Sequence, residues 1–114
     1  MPTIIENRRN LHQIPEIELT TQKTAQYIEN VLDLYDCTID HPIQNSVTAF
    51  FDNKKEKTIV FRSDMDALPM EENTNLTFKS TNGCMHACGH DGHMAMVLEL
   101  AKYAKESDYN VLLL

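Results

Sequence analysis

Apolar residues recur at helical spacing in three parts of the chain. The first repeat predicts a short helix that ends before Pro15, with a face made by Ile4, Ile5, Leu11 and the stem of Arg8. The second predicts a helix over about residues 20–34, where Thr20 and Thr21 offer capping hydroxyls. The third predicts a long helix that begins near Asp91, which is placed to cap it, and continues through Met94, Val97, Leu98, Ala101 and Ala104.

Short runs rich in β-branched and aromatic residues predict strands. Residues 46–51 and 57–63 are two such runs, and the polar turn 52–55 between them predicts a hairpin. Residues 110–114 form a bare apolar run, which is typical of a strand buried on both faces of a parallel or mixed sheet. The order of strand, helix and strand predicts an α/β fold, in which sites form beyond the carboxyl ends of strands and at helix N-termini.

Length and charge narrow the class of protein. The 114 residues fit one domain that buries roughly two thirds of its unfolded surface. The net charge of −7 argues against nucleic acid or an anionic membrane surface as the main partner. The N-terminal residues lack the pattern of a signal peptide and no apolar stretch approaches a membrane span, so we expect a cytoplasmic protein. Three cysteines, an odd number, exclude a complete internal disulfide framework.

Candidate metal ligands are concentrated in residues 84–93, which hold Cys84, His86, Cys88, His90, Asp91 and His93. Thiolate and imidazole suit zinc and its first-row neighbours, and carboxylate with imidazole also suits manganese. In the Cys88-Gly89-His90 triplet the glycine lacks the Cβ that would obstruct a tight turn, so sulfur and imidazole can face one ion. The alternative is a buried cysteine beside a capping histidine. The density of donors favours the metal interpretation.

Two aspartates form a second candidate constellation. Asp64 and Asp66 follow the predicted strand over residues 57–63, where they could bind a ligand or orient an imidazole. Aspartates after strands also serve as simple turn residues, so the pair alone is a weak signal. The remaining candidates are expected to be structural, packed or exposed residues without a chemical role: His12, Cys37, His41, Cys84, Met94 and Met96.

Three strings resemble one branch of a known metallopeptidase family. Residues 61–72 read Phe-Arg-Ser-Asp-Met-Asp-Ala-Leu-Pro-Met-Glu-Glu, and residues 85–93 read Met-His-Ala-Cys-Gly-His-Asp-Gly-His. Residues 8–16 read Arg-Arg-Asn-Leu-His-Gln-Ile-Pro-Glu. All three are similar to the hippurate-hydrolase branch of the aminoacylase/carboxypeptidase metallopeptidases, which includes N-acyl-amino-acid amidohydrolases and N-acetyldiaminopimelate deacetylases. The resemblance extends from Arg8 to the end of the chain.

The resemblance implies a two-metal hydrolase that cleaves the amide bond of N-acyl amino acids or related small amides. It implies Cys88 and His90 as metal ligands, and Asp66 as the catalytic aspartate that orients a ligand and tunes the metal site. Weaker candidates near the site are Asp64, Asp91 and His93. The expected cofactors are two divalent ions, zinc or manganese, with cobalt or nickel as further options. The expected partner is a small amide substrate, with no nucleic acid and no membrane, and complete relatives are expected to be homodimers.

The resemblance also implies parts that residues 1–114 do not contain. In the branch, a Pro-Ala-Glu-Glu stretch with the glutamate general base follows a strand similar to residues 111–114, and further ligands come later. Residues 1–114 are therefore expected to be the N-terminal portion of a mixed-sheet catalytic domain, with the smaller dimerisation or lid domain absent. This portion is expected to be catalytically inactive and marginally stable, with a last strand that is interior but lacks its later partners. The alternatives are a small structural zinc-binding or interaction module and a non-catalytic remnant.

Overall fold

The computed structural model describes residues 1–18 and 20–114, and within them three helices accompany a four-stranded mixed sheet. The helices are α1 (Ile4–His12), α2 (Gln22–Leu32) and α3 (His90–Ala104). The strands are β1 (Thr38–Asp40), β2 (Thr48–Phe51), β3 (Thr58–Phe61) and β4 (Asn110–Leu113). The predicted α/β fold with a mixed sheet is confirmed. None of the helices in the described residues is both long and apolar enough to cross a membrane.

The order of strands in the sheet is β1-β2-β4-β3, so β4 is an interior strand, as expected. It runs antiparallel to β2 and parallel to β3, and the crossover helix α3 connects β3 to β4. The predicted hairpin between residues 46–51 and 57–63 is therefore wrong, because β4 lies between β2 and β3. The expectation that the last strand lacks partners is wrong for the same reason: β4 is paired on both sides, and the edge strands are β1 and β3.

The side chain of Asn110, at the start of β4, binds the connection between β2 and β3. Its amide oxygen accepts hydrogen bonds from the backbone N–H of Asn53, at 2.8 Å, and of Lys55, at 3.2 Å. Its amide nitrogen donates to the Lys55 carbonyl at 2.9 Å. The side chain of Asn53 donates to the carbonyl of Ala104 at 2.7 Å, which joins the same connection to the end of α3. These bonds hold residues 52–57 around the start of β4.

The core lies on one face of the sheet, the face formed by Ala49 and Phe51 of β2 and by Val111 and Leu113 of β4. Ala49 and Phe51 are fully buried and pair in register with Leu113 and Val111. The helices complete this core with Leu11, Ala25, Ile28, Val31, Leu32, Met94, Leu98, Ala101 and Ala104. The core therefore fixes α3 against the sheet, and with it the loop that precedes α3.

The N-terminus of α2 is capped by a residue that sequence reasoning did not select. Thr21 is the N-cap residue, but its hydroxyl makes no capping hydrogen bond. The carboxylate of Glu16 accepts instead from the backbone N–H of Lys23 at 3.2 Å and of Thr24 at 2.7 Å. A carboxylate suits this position because it satisfies free N–H groups and complements the helix dipole.

Candidate metal centre

The candidate ligands meet where β3 ends and α3 begins. Asp64 and Asp66 lie on the loop after β3, and Cys88 and His90 lie on either side of the turn that starts α3. The crossover between the parallel strands β3 and β4 brings these two parts of the chain to the same edge of the sheet. The expectation that one edge of the fold holds both constellations is confirmed.

Backbone geometry joins the aspartate loop to the segment that carries the cysteine and histidine. Leu68 and Met85 exchange two N–H···O hydrogen bonds, each 2.9 Å long. Gly89 is the N-cap of α3 and has a φ of 89°, a left-handed conformation that glycine adopts without strain. Asp91 is not the cap, contrary to expectation. It lies in the first turn of α3, where its negative charge complements the helix dipole.

His90 is oriented by Asp66. Its Nδ1 lies 2.9 Å from the carbonyl oxygen of Asp66 and 3.2 Å from Asp66 Oδ1. Both oxygens accept hydrogen bonds, so in the neutral ring Nδ1 carries the hydrogen and Nε2 keeps a free lone pair. A histidine whose N–H is held by a carbonyl or carboxylate, with the other nitrogen free, is arranged as a metal ligand. Asp64 Oδ2 lies 4.0 Å from this Nε2, and Asp64 Oδ1 pairs with Arg62 at 2.6 Å.

Cys88 and His93 both come near His90 and are exposed. The Sγ atom of Cys88 lies 3.9 Å from the Asp66 carbonyl oxygen, so the thiol faces the same loop as the His90 ring. The rings of His93 and His90 are tilted by 40°, with centroids 5.9 Å apart. A thiol and an imidazole are therefore available at one surface, with a second imidazole beside them.

Asp91 is directed away from these ligands. Its Oδ2 lies 2.8 Å from His12 Nδ1 and 2.9 Å from Arg8 Nε. The other ring nitrogen of His12, Nε2, lies 2.8 Å from Glu72 Oε1. We call these four residues the buried charge cluster: Arg8, His12, Glu72 and Asp91. Three of them are almost fully buried, and only Arg8 is substantially exposed, with 40% of its side chain accessible.

The electrostatics of the cluster are set by the two carboxylates. Burial alone would raise the pKa of Glu72, but hydrogen bonds from the Thr74 hydroxyl, the Ser80 N–H and the charged His12 ring outweigh burial and lower it to about 2. The two ring nitrogens of His12 each lie 2.8 Å from a carboxyl oxygen, one of Asp91 and one of Glu72. When both carboxyl groups are ionised they can only accept hydrogen bonds, and a His12 ring that donates from both nitrogens is then positively charged.

Sequence reasoning missed this cluster, although its expectation of a structural His12 is consistent with the structure. One signal was present in the sequence. Asn7 and His12 lie on the same buried face of α1 as Leu11. Polar side chains on the apolar face of an amphipathic helix require buried partners, so their position predicts a polar network without identifying its other members.

His86, one of the candidate ligands in residues 84–93, is a second buried histidine. It is 3% exposed, and neither ring nitrogen has a hydrogen-bond partner among the described residues. Burial lowers the pKa of His86, and the nearby charge of Asp91 opposes this effect. Unpartnered polar atoms are costly inside a protein. A buried imidazole without a partner, two positions before Cys88 and near the charge of His90, fits a site that is completed by a further group.

The candidate ligands do not form a complete metal site by themselves. Among residues 1–18 and 20–114, no three or more His, Cys, Asp or Glu side chains converge closely enough to hold an ion. A closed structural zinc site would need about four converging ligands. The arrangement therefore argues against the closed zinc module. The donor chemistry of Cys88 and His90 fits a zinc-like ion whose other ligands lie elsewhere.

Fold and site together define an α/β protein with a candidate metal centre at the edge of its sheet. Residues 60–112 match the model of Peptidase family M20/M25/M40. This match, together with the relatives below, confirms that the chain resembles the family indicated by the sequence strings.

Relatives and a solved structure agree with this resemblance. A Staphylococcus epidermidis protein named an uncharacterized hydrolase is 41% identical over 100 residues, which cover 87% of this chain and 26% of that protein. An N-acetyldiaminopimelate deacetylase from Lactococcus lactis subsp. cremoris is 42% identical over 120 residues, covering 94% and 30%. Bacillus subtilis YXEP, described as a dinuclear metal binding peptidase, superposes with a TM-score of 0.85 at 35% identity, covering 96% and 33%. The chain thus spans about a quarter to a third of the length of these relatives.

Proposed function

We propose that the chain supplies one side of the active site of a metal-dependent hydrolase that cleaves the amide bond of N-acyl amino acids. The orientation of His90 carries the proposal: Asp66 engages Nδ1 and leaves Nε2 free, beside the exposed thiol of Cys88. Similarity to known proteins adds support, because one similar protein is named an N-acetyldiaminopimelate deacetylase and another is described as a dinuclear metal binding peptidase. The substrate class includes N-acetyl amino acids and hippurate.

Each residue has a defined role in this proposal. Cys88 and His90 would hold a divalent ion, and Asp66 fixes the tautomer of His90 and supplies negative charge behind it. When bound, the ions would supply Lewis-acid chemistry, which would polarise the amide carbonyl and activate a water. Zinc and manganese are the proposed ions, with cobalt or nickel as further options.

We expect the 114-residue chain alone to be inactive. Its described residues bring no third ligand to Cys88 and His90, and no glutamate lies among the side chains that contact either residue in the part of the chain described. The general base that accepts a proton from the attacking water is therefore expected to come from elsewhere. We propose a cytoplasmic location, and a homodimer for complete relatives.

Cobalt(II) titration of the metal-free chain tests the proposal. Binding by a thiolate gives an intense charge-transfer absorption, which we expect in the unmodified chain and expect to lose in Cys88→Ser and His90→Ala. Cys84→Ser is the matched control, because it removes a thiol from the same segment and should leave the absorption intact. No absorption in the unmodified chain would contradict the proposal. Loss of the absorption in Cys84→Ser would favour the closed zinc module.

A hydrolysis assay tests the expected inactivity separately. Release of free amino acid from hippurate and from N-acetyl amino acids is followed in the presence of zinc or manganese. We expect no release above the rate without protein. Measurable release that disappears in Cys88→Ser would overturn the expectation of inactivity while supporting the proposed chemistry.

A further inference from the structure

We propose that His12 is a positioning residue for the candidate metal centre, because it holds both ends of segment 84–91 through the buried charge cluster. That the positioned segment binds metal rests on the proposed function. The contacts that carry the positioning role do not depend on any metal.

The downstream end of the segment is fixed by Asp91. Its Oδ2 is shared by His12 Nδ1 at 2.8 Å and Arg8 Nε at 2.9 Å, so two donors from α1 hold one oxygen. Asp91 follows His90 directly and lies in the first turn of α3. The backbone of His90 therefore cannot shift without disturbing buried, charged hydrogen bonds.

The upstream end is fixed through Glu72. The second ring nitrogen of His12 lies 2.8 Å from Glu72 Oε1, and the same oxygen accepts from the Ser80 N–H at 2.9 Å. The Ser80 hydroxyl donates in turn to the carbonyl of Cys84. A continuous chain of hydrogen bonds thus runs from one imidazole to the first residue of the segment.

His12 is the member of the buried charge cluster that contacts both of its carboxyl groups. The ring is 2% exposed, and its two nitrogens each lie 2.8 Å from an oxygen of a buried carboxyl group, that of Glu72 and that of Asp91. A neutral replacement leaves two negative groups with one positive group, that of Arg8, which reaches only one of them. Removing one partner from a buried charge network leaves a charge uncompensated. Both ends of the segment are then expected to loosen together.

Cys88 and His90 lie between these two fixed ends, so the cluster limits where a thiol and an imidazole can be placed. Hydrogen-bond partners outside the ligand set commonly change metal affinity 10- to 100-fold when they are removed. A role confined to overall stability would change the folded fraction without this effect. The two possibilities can be separated by experiment.

Amide hydrogen exchange of the metal-free chain gives the first test, with His12→Gln as the variant. The Met85 amide, bonded to the Leu68 carbonyl at 2.9 Å, and the His93 amide, bonded to the Gly89 carbonyl at 3.1 Å, report on the two ends. We expect exchange at both to accelerate at least about tenfold more than exchange within β4. An acceleration in β4 as large as that at Met85 and His93 would overturn the proposal.

His41→Gln is the matched control, because His41 is exposed and contacts Glu29 and the Ser46 carbonyl, away from the cluster. It should leave both reporter amides unchanged. If His12→Gln does not fold, the double variant His12→Gln/Glu72→Gln removes one charge of each sign and keeps the ion pair between Arg8 and Asp91. The same reporter amides then decide the proposal in that variant.

Cobalt(II) affinity gives the second test. We expect about 10- to 100-fold weaker binding in His12→Gln than in the unmodified chain, and no change in His41→Gln. Equal affinity in His12→Gln and the unmodified chain would refute a positioning role. If the unmodified chain binds no cobalt(II), the proposed function fails, and hydrogen exchange alone decides whether His12 holds the segment.

Discussion

Glu72 makes the stability of the chain depend on pH at unusually acid values. The residue is 4% exposed, and its carboxylate accepts from the Ser80 N–H, the Thr74 hydroxyl and His12. These donors outweigh the effect of burial and lower its pKa from 4.5 to about 2. A carboxyl whose pKa is lower in the folded state stabilises that state above the pKa of the unfolded chain. This stabilisation is complete above about pH 4.5 and is lost as the pH falls through about 2.

The magnitude follows from the size of the pKa shift. One pKa unit corresponds to about 1.4 kcal/mol, so the full shift of Glu72 would contribute about 3 kcal/mol. Arg8 opens the cluster to solvent on one side, with 40% of its side chain exposed, so screening reduces the contribution to about 1–2 kcal/mol. A chain of 114 residues unfolds with an entropy of about 0.24 kcal/mol per kelvin, so each kcal/mol shifts Tm by about 4 °C.

Glu72→Gln is the test, with urea unfolding measured between pH 7 and pH 2.5. We expect the variant to be about 2–3 kcal/mol less stable at pH 7, because it removes a buried charge that accepts three hydrogen bonds. We expect the unmodified chain to lose about 1–2 kcal/mol more than the variant over the acid range, since other carboxylates titrate equally in both. Glu71→Gln is the matched control, because Glu71 is the exposed neighbour. Parallel stability–pH curves for Glu72→Gln and the unmodified chain would refute the reasoning.

Three further comparisons test the packing around the candidate centre by thermal unfolding of the metal-free chain. His86→Leu should leave Tm unchanged or raise it, because the ring has no partner to lose, whereas His12→Leu should cost about 3 kcal/mol; equal losses would contradict this difference. Gly89→Ala should lower the free energy of unfolding by about 1 kcal/mol, because the φ of residue 89 is 89°. Gly92→Ala should raise it by about 0.5 kcal/mol, because Gly92 lies in α3 with open space around its Cβ position. A stabilising Gly89→Ala would show that the turn has another conformation. Phe51→Ala should cost about 3–5 kcal/mol, and a cost below 1 kcal/mol would place Phe51 outside the core.

Local patterns predicted the elements of the fold but not the pairing of β2 and β3. The bare apolar run at residues 110–114 correctly indicated an interior strand, and the helical repeats located α1, α2 and α3 to within a few residues. The hairpin failed because its two strands are separated by β4. β4 pairs with both of them, and its register with β2 joins residues such as Phe51 and Val111 that are far apart in the sequence, so no local pattern encodes it.

The parts of the candidate site that lie close together in the sequence were predictable, and the contacts between distant residues were not. Cys88 and His90 are two positions apart, and the α/β order of elements placed Asp64 and Asp66 at the same sheet edge. Which residues bind metal stays a prediction. The buried charge cluster was out of reach, because His12 contacts Glu72 and Asp91 across 60 and 79 positions.

The contacts of His12 with Glu72 and Asp91 also give a reason why ionisable groups, and not apolar side chains, occupy this part of the interior. Buried ion pairs are poor sources of stability, since well-packed apolar side chains of the same volume are often as favourable. Hydrogen-bonded ion pairs are directional, whereas apolar contacts are not. An apolar contact between α1 and α3 would permit small sliding, but the two ring nitrogens of His12 specify where two separate carboxylates must lie. A loop that only had to be covered could be packed by apolar side chains in place of the whole cluster. A loop that must present Cys88 and His90 at fixed places gains from a residue that defines both of its ends.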